Sequence, residues 1–286
     1  MKQVRLILLF GLLTHRVFAT GIDVIFYDNR FGLLDDTTGT FVQKTTLPVS
    51  ASGGIAGRNG LLYIEDFINN LYTVDPQSGT SALVGNTGLD LSLAVFGGGS
   101  SGLFELDNLS NLYAIDPTTG QASFIGATGL KPNHGQNDFS LSSDGNWLYY
   151  TVGPGSSPDE LYGINPLTGF ATDLGSTGVR GVAGSAYVNG NLQLYSYGQN
   201  KSYIYSAPVG TLNFTQISAL DAATIEGGVA VGSYGPQTPS QTSFVPSQTS
   251  SVQVIASPEP ASVVLLGIGL LVLAAKASAA RCDNGV

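Results

Sequence analysis

A repeat constrains this chain more than any other feature. Three segments align by eye: Leu71-Tyr-Thr-Val-Asp-Pro-Gln-Ser-Gly79, Leu112-Tyr-Ala-Ile-Asp-Pro-Thr-Thr-Gly120 and Leu161-Tyr-Gly-Ile-Asn-Pro-Leu-Thr-Gly169. Each leads to a second match, Val84-Gly-Asn-Thr-Gly88, Ile125-Gly-Ala-Thr-Gly129 and Leu174-Gly-Ser-Thr-Gly178. Degenerate copies flank them at Phe31-Gly-Leu-Leu-Asp-Asp-Thr-Thr-Gly39 and Tyr203-Ile-Tyr-Ser-Ala-Pro-Val-Gly210. The turn glycines Gly39, Gly79, Gly120, Gly169 and Gly210 are therefore 40, 41, 49 and 41 residues apart. That period matches propeller blades of about 40–45 residues.

The unit can be read physically. Leu-Tyr-x-Ile alternates with period two and suits a strand. Asp-Pro-x-x-Gly is a hairpin turn: Asp accepts backbone N–H groups ahead, Pro presets φ, and Gly takes the left-handed position. A short strand follows, then Thr-Gly opens a loop into a small-residue strand. Those strands are Gly54-Ile-Ala-Gly57, Leu93-Ala-Val-Phe96, Phe139-Ser-Leu-Ser142, Ser185-Ala-Tyr-Val188 and Gly228-Val-Ala-Val231. Small side chains suit innermost strands crowding a central channel. Asn59-Gly60, Asp144-Gly145 and Asn189-Gly190 signal hairpins into a further strand. Each unit thus has four strands, A to D from the centre outward. The region starts with a B-like strand, Val24-Ile-Phe-Tyr27, and ends with a lone A strand. The expected fold is all-β: a five-bladed β-propeller of four-stranded blades over residues 20–235, closed by pairing of its N- and C-terminal strands. A β-sandwich of similar strand content is the other architecture open to this pattern. The motif is similar to repeats of uncharacterised secreted bacterial propellers, a likeness of fold, since propellers host many functions.

Both ends of the chain read as addresses. Lys2 and Arg5 precede the apolar run Leu6 to Leu13, and Val17-Phe18-Ala19 fits a signal-peptidase site after Ala19, so residues 1–19 form a secretory signal. Residues 236–257 are uncharged, rich in Ser, Thr, Gln and Pro, and contain a duplication beginning at Pro239 and Pro246. They read as a disordered linker. Pro258-Glu259-Pro260 follows, then an apolar stretch from Val263 to Ala275 containing Gly267 and Gly269, then Lys276 and Arg281. A transmembrane helix needs about 20 residues, which Ala261 to Ala280 supplies. This tripartite tail, 258–286, resembles the PEP-CTERM sorting signal. The resemblance implies export, transient anchoring by the helix, and processing by an exosortase at Pro258, Glu259 and Pro260. It implies hosts that make exopolysaccharide and biofilm. The spacing between Lys276 and Arg281, and the trailing Cys282 to Val286, depart from the tight basic cluster usual there. Tails of this kind also carry an ice-binding label, for which the residues give no physical reason.

Composition narrows the chemistry. Charged residues are 11% of the chain, against about 25% in an average soluble domain. Residues 20–257 hold six cations and 18 acids, so no basic patch offsets phosphate charge and nucleic acid is not an expected partner. One cysteine and two histidines exclude a disulfide framework and a Cys/His zinc site. No metal or cofactor is expected. His134 lies in a loop without a Gly-x-Ser-x-Gly elbow, and reads as a polar loop residue.

The loops entering the A strands open at one face of the ring. They carry Asp90, Asp138, Asp221 and Glu226, with Arg58 and Arg180 near other A strands. Asp90, Asp138, Glu226, Arg180 and His134 are the candidate ligand contacts. The expectation is a non-enzymatic exported surface or matrix propeller that binds a glycan or protein, its other partners being the secretion machinery and an exosortase. The alternative is a carbohydrate-active enzyme using two of these acids, which requires carboxylates about 5–9.5 Å apart.

Overall fold

The hairpin turns lie where the motif puts them. In the computed structural model, which describes residues 21–89, 95–131, 138–153, 156–198, 200–221, 223–231 and 233, Asp75 Oδ1 accepts the N–H groups of Gln77 and Ser78 at 2.8 Å each. The Gly79 N–H closes on the Asp75 carbonyl at a φ of +71°. Asp116 and Asn165 repeat the arrangement with Thr118 and Leu167. Asn59-Gly60 and Asn189-Gly190 have positive φ at both residues, as a type I′ hairpin requires.

These turns connect twenty strands among the described residues into five antiparallel four-stranded sheets. Blade 1 is β20 (Ile225–Ala230), β1 (Ile22–Phe26), β2 (Arg30–Asp35) and β3 (Thr40–Thr46), in that spatial order. Blade 2 is β4 (Ala51–Arg58), β5 (Leu61–Asp66), β6 (Asn70–Val74) and β7 (Ser81–Asn86). Blade 3 is β8 (Val95–Gly99), β9 (Gly102–Leu106), β10 (Asn111–Ile115) and β11 (Ala122–Ala127). Blade 4 is β12 (Asp138–Ser143), β13 (Leu148–Gly153), β14 (Glu160–Ile164) and β15 (Ala171–Ser176). Blade 5 is β16 (Val182–Val188), β17 (Asn191–Gly198), β18 (Lys201–Pro208) and β19 (Thr215–Leu220). The chain is thus an all-β propeller ring of five blades. The last strand, β20, pairs with the first, Ile22 opposite Ala230 and Val24 opposite Gly228.

The core is divided among the five seams between blades. Each seam has its own apolar cluster: Ile25, Leu62 and Ile64 between blades 1 and 2, for example, and Tyr149, Leu161 and Leu194 between blades 4 and 5. Trp147 packs against the latter. The expected signal ending at Ala19, the linker, and the tail with Pro258, Glu259, Pro260 and its helix lie outside the described residues. No helix among the described residues is long and apolar enough to cross a membrane.

The repeat motif marks contacts between blades as well as turns. A Cβ on Gly85 or Gly126 would penetrate the Thr119 or Thr168 carbonyl oxygen in the turn of the next blade. The carbonyls of Thr87 and Thr128 accept the N–H groups of Ala122 and Ala171, again in the next blade. Gly-x-Thr-Gly is therefore a staple at the outer rim. The motif tyrosines also do more than pack: the Tyr72 and Tyr113 hydroxyls donate to Asp66, at the end of β5, and Asp107, just after β9, at 3.1 and 3.3 Å.

Gly126→Ala, at a position without positive φ, is expected to destabilise the ring purely by overpacking, by about 1–3 kcal/mol. Calorimetric unfolding should show this as a fall of about 2–4 °C per kcal/mol; an unchanged melting temperature would contradict the rim contact.

Candidate functional site

The inner strands bring their exit ends together. There the hairpin turns surround a pocket of about 90 Å³ on the ring axis, room for roughly three waters at about 30 Å³ each. Its polar lining is Ser100, Ser142, Ser143, Asp144, Tyr187 and Ser233, and all five inner strands contribute to its wall. Glycines Gly57, Gly98 and Gly228 form part of it, leaving backbone where larger residues would fill the space.

The hydrogen bonds divide these groups into scaffold and free valence. Asp144 Oδ1 accepts the Asn146 and Trp147 N–H groups at 2.8 Å each, and Oδ2 accepts the Tyr149 hydroxyl at 2.9 Å. Its charge is spent on the turn. Ser143 Oγ accepts the Gly145 N–H at 3.0 Å. Ser142 is only 5% exposed, yet its Oγ has no hydrogen-bond partner. Burial, and then the Asp144 charge, push the Tyr187 phenol up, so it stays a neutral hydroxyl. The pocket therefore offers hydroxyl donors and acceptors beside one carboxylate that is hydrogen-bonded within its own turn. It can exchange hydrogen bonds with a neutral hydroxyl-bearing group.

The described residues among those singled out from the sequence are not in this lining. Glu226 lies within β20 rather than in a loop. Ile25 pairs with Gly227 and Phe26 with Ile225, so Glu226 is the extra residue of a β-bulge, a device that re-aims a side chain. It is half-buried, and desolvation pushes its carboxyl up to about 7. Arg180 is exposed in the loop before β16, and its carbonyl accepts the Ser196 hydroxyl. Asp138 is the first residue of β12, opposite Gly153, and so is also in a strand. Arg58 ends β4, on an inner strand, at its hairpin end. Asp221 forms an exposed ion pair with Lys201 at 3.2 Å. Asp90 and His134 lie outside the described residues. No group of three or more His, Cys, Asp or Glu that could hold a metal ion occurs among the described residues.

Sequence reasoning missed Ser142 and Tyr187, whose strands were read only as packing. It also missed Glu65 and Glu105, both fully buried. Burial above all holds both carboxyls above the usual carboxylate range. The available signal was a glutamate inside an apolar run, Leu61-Leu-Tyr-Ile-Glu65 and Leu103-Phe-Glu-Leu106.

No protein-family model matches the chain, and no curated protein does. Solved structures match through the fold. A chain of a nidogen–laminin complex is similar at a TM-score of 0.52 and 10% identity, covering 75% of this chain and 99% of that one. TolB from Acinetobacter baumannii is similar at a TM-score of 0.44 and 15% identity, covering 74% of this chain and 54% of that one. The first likeness places the chain in the β-propeller class and says nothing of its ligand.

Removing a buried hydroxyl that bonds to nothing relieves a desolvation cost of about 1–3 kcal/mol. Ser142→Ala is accordingly expected to leave chemical-denaturation stability unchanged or raise it by about 1 kcal/mol; a loss of that size would show that Ser142 is structurally bonded.

Proposed function

We propose that the ring is the non-enzymatic binding module of an exported surface or matrix protein. The pocket at its hairpin mouth takes a hydroxyl-bearing edge of a neutral ligand, namely the terminal residue of a glycan. The observation that carries this reading is the set of hydroxyls, from Ser100, Ser143, Tyr187 and Ser233, that line this pocket beside Ser142, whose buried Oγ has no partner. A sugar hydroxyl would bond Tyr187, and would supply Ser142 with a partner once that side chain turns toward the pocket. The pairing of β20 with β1 holds the ring shut around this pocket. In the same reading the signal ending at Ala19 exports the chain, and an exosortase cuts it at Pro258-Glu259-Pro260.

The exported protein on an array of neutral glycans tests the pocket. Ser142→Ala and Tyr187→Phe should each weaken binding about five-fold, since one hydrogen bond contributes about 1 kcal/mol. Failure of every neutral glycan to bind, or variants that bind like the native protein, would overturn the assignment. Mass spectrometry of the native protein tests the tail: a C-terminus near Glu259 is expected in an exosortase-bearing host, and one intact to Val286 would reject processing.

A second reading has one observation in its favour. Glu226, on a bulge and held near pH 7, has the acid strength of a general acid. A carbohydrate-active enzyme would need a second carboxylate about 5–9.5 Å away, for which Asp138 is the sequence's candidate. Hydrolysis of a polysaccharide that Glu226→Gln abolishes would favour this reading; sugar binding indifferent to Glu226→Gln favours the first.

A further inference from the structure

The seam between blades 2 and 3 holds an arrangement that ligand binding does not use. Tyr63 of β5 and Leu103 of β9 meet there, in a cluster with Ala56, Leu71, Phe96 and Ile115. Side chains alternate across a strand, so Glu65 follows Tyr63 onto the same face, and Glu105 follows Leu103. Both glutamates are 0% exposed. Each acts on the other's carboxyl. As carboxylates both are acceptors only, and none of the four oxygens has a partner of good geometry.

The adjacent seam shows how this fold otherwise satisfies a buried acid. Asp23, 1% exposed, meets the Lys44 ammonium at 2.6 Å, and the same ammonium donates to the Pro76 carbonyl. Among the described residues no such cation reaches Glu65 or Glu105. Asp66, next to Glu65 at the end of β5, acts on it through space, its carboxylate already accepting the Ile68 and Asn70 N–H groups and the Tyr72 hydroxyl of β6. After β9 comes Asp107, bound in the same way by Leu109, Asn111 and the Tyr113 hydroxyl of β10. These two acids add negative charge. Beyond β7, the Thr87 hydroxyl favours the charged form of Glu65. Arg58 at the far end of β4 acts on Tyr63, and β8 brings no titratable side chain.

Two bare carboxylates cannot share a dry seam, because their desolvation and mutual repulsion both oppose it. One proton resolves both problems, since it removes a charge and turns one acceptor into a donor. We propose that Glu65 and Glu105 share a proton across the seam between blades 2 and 3, and that its loss in alkali loosens this seam first, making the ring an acid-favoured, alkali-opened device.

The direction follows from linkage. The folded state keeps protons that the unfolded chain releases near the ordinary glutamate value of 4.5. Stability is therefore highest below that value and falls as the pH rises through the folded-state range of the pair. Glu226 adds a fall of the same sign that ends near its own value of about 7, and the buried phenols, also pushed up, add theirs only towards the ordinary tyrosine value of 10, which leaves the region from pH 8 to 9 to the pair.

The test is the melting temperature of the full chain between pH 5 and 9, with and without EDTA or added Ca²⁺. A fall of several degrees continuing above pH 8 is expected. Glu105→Gln, which gives Glu65 a permanent N–H donor, should remove that part of the fall, and Glu226→Gln should not. Parallel pH profiles for the native chain and Glu105→Gln would overturn the proposal. So would a Ca²⁺-dependent rise at pH 9 that Glu105→Gln abolishes, because a cation would then be the missing partner. Hydrogen exchange of the native chain, corrected for intrinsic rates, provides a check without a variant. Protection should fall at pH 9 in β5 and β9 before other strands, and a uniform loss around the ring would contradict the proposal.

Discussion

Every blade of this protein is apolar on both faces, and the rest of the structure depends on that constraint. All five residues of β1 and of β9 are buried, and so are five of six in β5. An antiparallel sheet that faces water on one side alternates apolar with polar residues, as a two-layer sandwich would require here. These strands need cover on both sides. A ring in which each blade has two neighbours supplies it, which is why the core is split into five seam clusters. The outermost strands are released from the constraint: Val42, Leu83, Phe124 and Ile217 are exposed along the rim.

Five flat sheets meeting at one axis must come very close together at their inner edges. Small residues there permit it. A Cβ on Gly97 would run into the Leu141 carbonyl of blade 4, and one on Gly184 would lie 2.6 Å from the Glu226 carbonyl carbon of blade 1. The same crowding leaves only a small polar space at the hairpin mouth. In the reading advanced for this protein, the pocket is the remainder of the packing problem, lined by the short side chains that the axis demanded.

The fold was legible because its determinants are local and repeated. Asp-Pro-x-x-Gly and Asn-Gly specify turns through backbone chemistry, and five copies in register specify blades. The site was less legible because its groups come from the exit ends of five strands far apart in sequence. Ser142 and Tyr187 look like ordinary strand residues until the ring brings them together. Glu226 was noticed for its charge, but its place on a bulge depends on β20 pairing with β1, a contact across almost the whole domain. Glu65 and Glu105 occupy non-equivalent positions of their blades, Glu65 opposite Leu71 and Glu105 opposite Tyr113. Only the meeting of the two blades makes them a pair. Conversely, Lys44, Asp23 and Pro76 form a charge-satisfied seam that no motif announced.

The pairing of β20 with β1 is where these lines converge, since blade 1 lacks an inner strand without β20, and the seams on either side of it lose Ile225 and the cover of Val229. Hydrogen-exchange mass spectrometry of the native ring measures this most directly. The account predicts that the amides of Ile225–Ala230 and Ile22–Phe26 are protected together and to the same degree as those of β5 and β9. Rapid exchange of β20 while the other inner strands stay protected would contradict it.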